Sequence, residues 1–207
     1  MRDKRVRDAA EAVADLADGA VLLVGGFGDG GIPFALLDAV RDAGARNLTV
    51  VSINAGSGGS GIAALIASGQ VARMICTFPR TAGSVAFENA YAAGRIALEL
   101  VPMGPLVERL RAAGAGIPAF YTAVAAGTEL AKGKEARSFG GRDCVLETAL
   151  GGDVALVAAD RADTFGNLTY LGTSRNLNPV IAQAATLTIA EVAACVPPGA
   201  TACLKIR

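Results

Sequence analysis

Ala20-Val21-Leu22-Leu23-Val24 followed by Gly25-Gly26-Phe27-Gly28-Asp29-Gly30-Gly31-Ile32-Pro33 decides the architecture. The first five residues are a continuous apolar run, the pattern of a parallel strand buried on both faces. The glycines supply a tight turn, and Pro33 opens a helix in which Phe34, Leu36, Leu37 and Val40 share a side until Gly44 stops it. Strand, turn and helix in this order are the first half of a βαβ unit.

The same grammar recurs in both directions. Upstream, Val6, Ala9, Val13 and Leu16 are spaced as on an amphipathic helix over residues 3–17, ended by Asp18-Gly19. Downstream, strands are predicted at Asn47–Ser52, Val71–Thr77, Ile96–Val101, Val154–Ala159 and Thr186–Val192. Helices are predicted at Ile62–Ser68, Ser84–Ala93, Leu106–Ala113 and Asn178–Ala185. The expected fold class is α/β, a mostly parallel sheet flanked by helices. Residues 119–150 break the rhythm and read as an irregular or hairpin excursion with two short strands. At 207 residues and 52% hydrophobic content, one unit spanning 1–207 is expected.

Composition narrows the chemistry. A formal net charge of +0 with no basic run leaves no footprint for nucleic acid or an anionic membrane. Between Ala43 and Ala72 only Arg46 is charged, but Gly56–Gly61 interrupts the stretch as a loop, so no membrane span is expected. Charges at Asp8, Glu11 and Asp15 break any signal-peptide core, and a cytoplasmic location is expected. Cys76, Cys144, Cys195 and Cys203 show no metal-ligand spacing and the chain has no histidine, so no metal is expected. Without histidine, Ser-His and Cys-His nucleophile pairs are excluded, leaving carboxylates, hydroxyls, amides and cationic side chains.

Gly26, Gly28 and Gly31 fit G-x-G-x-x-G, the dinucleotide fingerprint, yet no Asp or Glu occurs between Asp42 and Glu88 where a ribose-binding acid belongs. A dinucleotide-dependent oxidoreductase is therefore a minor alternative.

Asp18 to Phe27 with Gly31-Ile32-Pro33 resembles the N-terminal signature of the alpha subunits of family I coenzyme A transferases. Asn54-Ala55-Gly56, Val101-Pro102 with Gly104, Glu108-Arg109, Gly114 to Phe120, Gly127-Thr128 and Gly133-Lys134-Glu135 extend the match in order. So do Asp160 to Asp163, Gly166 to Tyr170, and Arg175-Asn176 with Asn178-Pro179. The similarity covers about residues 1–192 and is greatest to the 3-oxoadipate and 3-oxoacid transferases.

The resemblance implies a NagB/RpiA/CoA transferase-like fold. It implies transfer of coenzyme A from an acyl-CoA such as succinyl-CoA to a 3-oxo acid, with coenzyme A as substrate and no permanently bound cofactor. The nucleophilic glutamate belongs to a B-type partner subunit, in a heterodimer or heterotetramer; neither Glu88 nor Glu99 is expected to replace it. The expected substrate-binding residues are Gly25, Gly26, Phe27, Gly28, Gly30, Gly31, Asn54, Met103 and Gly104. Asn54 could equally be an Asx-turn residue. Asn178 before Pro179 reads as an N-cap, and Arg109 and Arg111 read as solvated helix residues with a weaker case for anion binding. Met103 stands where close relatives carry glutamine, and Ala123-Val124-Ala125-Ala126 where they carry Pro-Thr-Gly-Tyr. These departures keep open a non-catalytic, regulatory binding module, and the C-terminus after about 192 reads as truncated or divergent.

Overall fold

The computed structural model describes residues 3–81 and 83–200; Cys203 and the rest of the tail beyond 200 lie outside the described residues. In chain order the elements are α1 (Ala9–Val13), β1 (Val21–Val24), α2 (Phe34–Ala43), β2 (Leu48–Val51) and α3 (Gly61–Ala67). Next come β3 (Val71–Cys76), α4 (Ala86–Ala92), β4 (Ala97–Leu100), α5 (Met103–Gly114) and β5 (Ala119–Thr122). They are followed by β6 (Ala136–Phe139), β7 (Arg142–Thr148), β8 (Gly152–Asp163), β9 (Leu168–Thr169), α6 (Asn178–Ile181) and β10 (Ala185–Val196).

The main sheet runs β10-β8-β1-β2-β3-β4, all parallel, with β9 antiparallel on β8. Its central strands β1 and β2 are buried on both faces, which is why the sequence shows continuous apolar runs there, while the edge strands β4 and β10 are half-buried to exposed. Leu22 and Val24 pack with α2, α3 and α4, while Leu23 points to the opposite core under α5 and α6. Leu22, Leu23 and Val24 are all fully buried, each worth about 1.5–3 kcal/mol of transfer free energy. The chain winds outward from β1 to β4, then returns to β1's other side as β8. That reversal places a crevice at the carboxyl ends of the central strands, where α/β sheets bind ligands. Past the last β1–β8 pair, Val24 with Leu156, β8 and β10 continue together to the pair Asp163 with Val196. This two-strand part of the sheet extends about 20 Å past the end of β1.

Four sequence expectations need correction. The first helix is confined to Ala9–Val13, because the Asp8 carboxylate caps it by accepting from Glu11 N–H at 2.8 Å and Lys4 N–H donates to the Thr164 carbonyl at 3.0 Å. Val6, assigned to a buried helical side, is exposed. The excursion at 119–150 is a three-stranded antiparallel sheet, β5-β7-β6, rather than two strands. The helix at α5 begins earlier, at Met103, with Pro105 tolerated in its first turn where no intrahelical acceptor is lost. The helix at Asn178 ends at Ile181, and β10 takes over from Ala185.

Candidate functional site

The glycine stretch forms a small hairpin at the carboxyl end of β1. Phe27 and Gly30 exchange both backbone N–H to C=O bonds at 3.0 Å, so Gly28 and Asp29 form a two-residue turn. Gly28 takes φ 58°, as the first central position of such a turn requires. Opposite stands the loop after β2. There Asn54 Oδ1 accepts from Gly56 N–H at 2.9 Å, so the Asx turn is real. Gly56 has φ 84°, a Cβ on it would lie 2.6 Å from Ala63 N, and the Thr81 hydroxyl donates to its carbonyl.

A cleft lies between these loops, lined by Gly25, Gly26, Gly28, Asp29, Ser52, Asn54, Gly56, Ser57 and Ser60 with Ile32, Phe34, Gly61 and Ile62. The enclosed space is about 10 Å³, room for roughly one water. Its polar groups are peptide, carboxamide and hydroxyl with a single carboxylate, and among the described residues no lysine or arginine lines it. Asp29, exposed at the hairpin turn, is the one carboxylate in its lining among the described residues. Because Asn54 Oδ1 is committed to Gly56, its Nδ2 remains the end able to donate to a ligand. Cys76, at the end of β3, is fully buried and burial pushes its thiol up to about 12, which makes it an inert core residue.

Of the residues singled out by sequence, Gly25, Gly26, Gly28 and Asn54 come together in this cleft, and Phe27, Gly30 and Gly31 complete the hairpin beside it. Met103 and Gly104 do not line it. They start α5 after β4, at the edge of the sheet, with Met103 half-buried and Gly104 exposed. Ser52, Ser57, Ser60 and Asp29 were missed; small hydroxyls in a glycine loop carry no distinctive signal.

Behind the hairpin lies a second set of missed roles. Asn178 is not an N-cap. It is the first residue of α6 and wholly buried. Its Oδ1 accepts from Ala158 N–H at 3.1 Å and its Nδ2 donates to the Gly31 carbonyl at 2.9 Å, tying the loop to β8. Arg109 is likewise not solvated: it is buried and pairs with Glu99 at 2.8 Å. Arg111 fits the solvated reading, paired with Glu108 on the surface.

Glu191, from β10, decides against a dinucleotide. Its Oε2 accepts from Ala35 N–H at 2.9 Å and Leu36 N–H at 3.2 Å, while Phe34 N–H goes to the Ile32 carbonyl. A pyrophosphate in a dinucleotide fold would sit on this helix N-terminus, and here a carboxylate already occupies it. Glu191→Ala uncaps α2 and is expected to cost about 1 kcal/mol, or roughly 2–4 °C in thermal midpoint. Glu191→Gln, which keeps an acceptor, should lose less than half of that. Equal melts for the wild type and Glu191→Ala would show that the cap contributes nothing.

The family model described as Coenzyme A transferase matches residues 6–207. This chain belongs to the coenzyme A transferase family. It is 52% identical over 198 residues to the A-type subunit of the succinyl-CoA:3-ketoacid coenzyme A transferase of Xanthomonas campestris pv. campestris (strain B100), covering 95% of this chain and 81% of that one. It is 47% identical over 192 residues to the A-type subunit of the 3-oxoadipate CoA-transferase of Pseudomonas putida, covering 93% and 83%. Among solved structures, a variant of the decarboxylase AibA/AibB superposes with a TM-score of 0.80 at 31% identity, covering 95% of this chain and 77% of that one. The fold of this transferase chain is thus the α/β fold expected, with the glycine hairpin at its switch point. Among the described residues no helix is long and apolar enough to cross a membrane, and no group of three or more His, Cys, Asp or Glu is placed to hold a metal ion.

Proposed function

We propose that this chain is the A-type subunit of a coenzyme A transferase and works with a B-type subunit to move coenzyme A from an acyl-CoA, such as succinyl-CoA, to a 3-oxo acid. The observation that carries this reading is the chemistry of the cleft: among the described residues it offers hydrogen-bond donors without a buried carboxylate or a cation. Transfer by a carboxylate nucleophile needs two things. One is the carboxylate, which attacks the thioester carbonyl and displaces the coenzyme A thiolate. The other is a set of donors for the oxyanion of the tetrahedral intermediate. The cleft offers the second, with Asn54 in its lining and Nδ2 as that side chain's donor. The first comes from the partner subunit, whose surface also supplies the wall that so small a cleft lacks. Gly25, Gly26, Phe27, Gly28, Gly30, Gly31 and Asn54 are the substrate-facing set in this reading; Met103 and Gly104, which do not line the cleft, fall outside it.

Purified alone, the chain is expected to exchange no thioester; mixed with the B-type subunit of a 3-oxoacid transferase it should do so. In that mixture Asn54→Ala should lower kcat by about 10²–10³-fold with little change in melting. Full transfer by this chain alone would overturn the division of labour. A non-catalytic binding module would instead bind acyl-CoA in the mixture without turnover. The 31% identity to a decarboxylase structure supplies the other outcome to score, release of CO₂ from a 3-oxoacyl thioester without coenzyme A exchange.

A further inference from the structure

Asn176 follows the short 3-10 turn Gly172–Arg175 and holds φ 25° and ψ −123°, a conformation that non-glycine residues rarely adopt. Its carboxamide spans the base of the glycine hairpin. Oδ1 accepts from Gly26 N–H at 3.2 Å and from Leu177 N–H at 2.7 Å. Nδ2 donates to the Gly30 carbonyl at 3.0 Å, and also to the carbonyls of Ser174 at 3.2 Å and Thr173 at 3.3 Å. Gly26 and Gly30 are the two stems of the turn that carries Gly28 and Asp29 into the cleft. A single side chain therefore grips both stems, much as a neighbouring strand would.

The hairpin needs that grip. It closes with the two backbone bonds between Phe27 and Gly30, Phe27 in that closing pair is 58% exposed, and a Cβ at Gly28 would meet nothing within 4 Å. So short a ribbon has no stability of its own. A glycine at 176 would take the same backbone angles without strain, so what asparagine adds at this position is the carboxamide.

We infer that Asn176 is a positioning residue that sets the tilt of the glycine hairpin over the cleft, and with it the gap between Gly28 and Asn54 in which the reacting carbonyl would lie. The inference rests on reading the cleft as the transfer site. Asn176 itself lies behind the hairpin and touches no reacting atom; it acts through Gly26 and Gly30.

The test uses Asn176→Gly and Asn176→Asp, with three readouts. The first is chymotryptic cleavage after Phe27 in the isolated chain, the second the thermal midpoint, and the third kcat and KM with the B-type subunit. Asn176→Gly should leave the midpoint within about 3 °C, since relief of strain offsets the lost bonds. Cleavage after Phe27 should accelerate about tenfold, because it tracks the population of the released hairpin. kcat should fall at least about tenfold with KM changed less than about threefold, the signature of lost alignment. Asn176→Asp keeps the acceptor for Gly26 but loses the donor to Gly30, so it should reproduce the kcat loss with a smaller gain in cleavage. Unchanged cleavage after Phe27 in Asn176→Gly would overturn the inference, as would a rise at every site together with a large drop in midpoint, which would mean general destabilisation. If the wild-type mixture shows no transfer, the transferase reading fails by itself, while the cleavage comparison still decides whether Asn176 holds the hairpin.

Discussion

Gly25→Ala is expected to destabilise the chain by roughly 3–5 kcal/mol, lowering the thermal midpoint by about 10 °C or more. Gly25 does not need a left-handed backbone, so the cost is one of space. A Cβ built there would lie 1.8 Å from Asn178 Oδ1 and 2.7 Å from its Cγ. Asn178 is fully buried and cannot yield without abandoning Ala158 N–H, the Gly31 carbonyl and the Ser174 carbonyl at 3.0 Å. Overpacking alone costs about 1–3 kcal/mol, and each buried polar group left unpaired about 1–3 kcal/mol more. Gly30→Ala is the control from the same hairpin. Its Cβ would meet only the Phe27 carbonyl oxygen, at an ordinary 3.5 Å, and should change stability by less than about 0.5 kcal/mol. Combining Gly25→Ala with Asn178→Ala should recover part of the loss, giving a coupling of at least about 1 kcal/mol between the two positions. Equal melts for the two glycine variants would contradict this account.

Those two glycines also mark where the sequence is legible. The apolar run Ala20–Val24 announces a buried parallel strand because both faces of β1 meet helices, and apolar runs likewise find β2, β3 and β8, with the edge strands β4 and β10 legible from their apolar content although they are only partly buried. Gly44 announces the end of α2 because its φ of 79° closes the helix locally. Local chemistry of this kind is written locally. The asparagine grip is not: Gly25 and Gly31 contact Asn178 from across the chain, so a reading limited to neighbours assigns the glycines to ligand approach and Asn178 to capping. β6, in the excursion where two strands are expected and three are found, is hard to read for another reason. All four of its residues are exposed, so it carries no alternation of apolar and polar faces. Glu191 gave no signal at all, since the N–H groups it caps belong to a helix more than 150 residues earlier. The family signature found the hairpin and Asn54, while the arrangement that holds them had to come from the fold.

The second large effect is expected at Arg109, which joins α5 to both sheets. Its Nε donates to the Thr148 carbonyl at 2.9 Å and lies 3.9 Å from Glu147, and its Nη1 pairs with Glu99 at 2.8 Å. Lys134 closes the far end on Glu147 at 2.5 Å, and Arg73 the near end on Glu99 at 2.5 Å. Glu147 is 3% exposed, so removing the guanidinium leaves a buried carboxylate with Lys134 alone and an unpaired Thr148 carbonyl. Arg109→Met, which keeps much of the aliphatic stem, should therefore cost about 3–5 kcal/mol. Arg111→Met, two residues on and paired with an exposed Glu108, should cost less than about 1 kcal/mol. Glu147→Gln in the Arg109→Met background should restore part of the loss, because the charge that became uncompensated is gone. Acid adds a second readout through Glu99. Burial alone raises its carboxyl, but the hydrogen bonds and charges of Arg109 and then Arg73 outweigh that and hold it below its ordinary 4.5. A carboxylate depressed on folding stabilises above its unfolded value and loses that contribution as pH falls through the folded one. The wild type should thus lose this contribution as the pH drops below about 4.5. Arg109→Met has already lost most of it, so the stability gap between the two should narrow from pH 6 to pH 3. A gap that stayed constant across that range would place the effect of Arg109 in packing rather than charge.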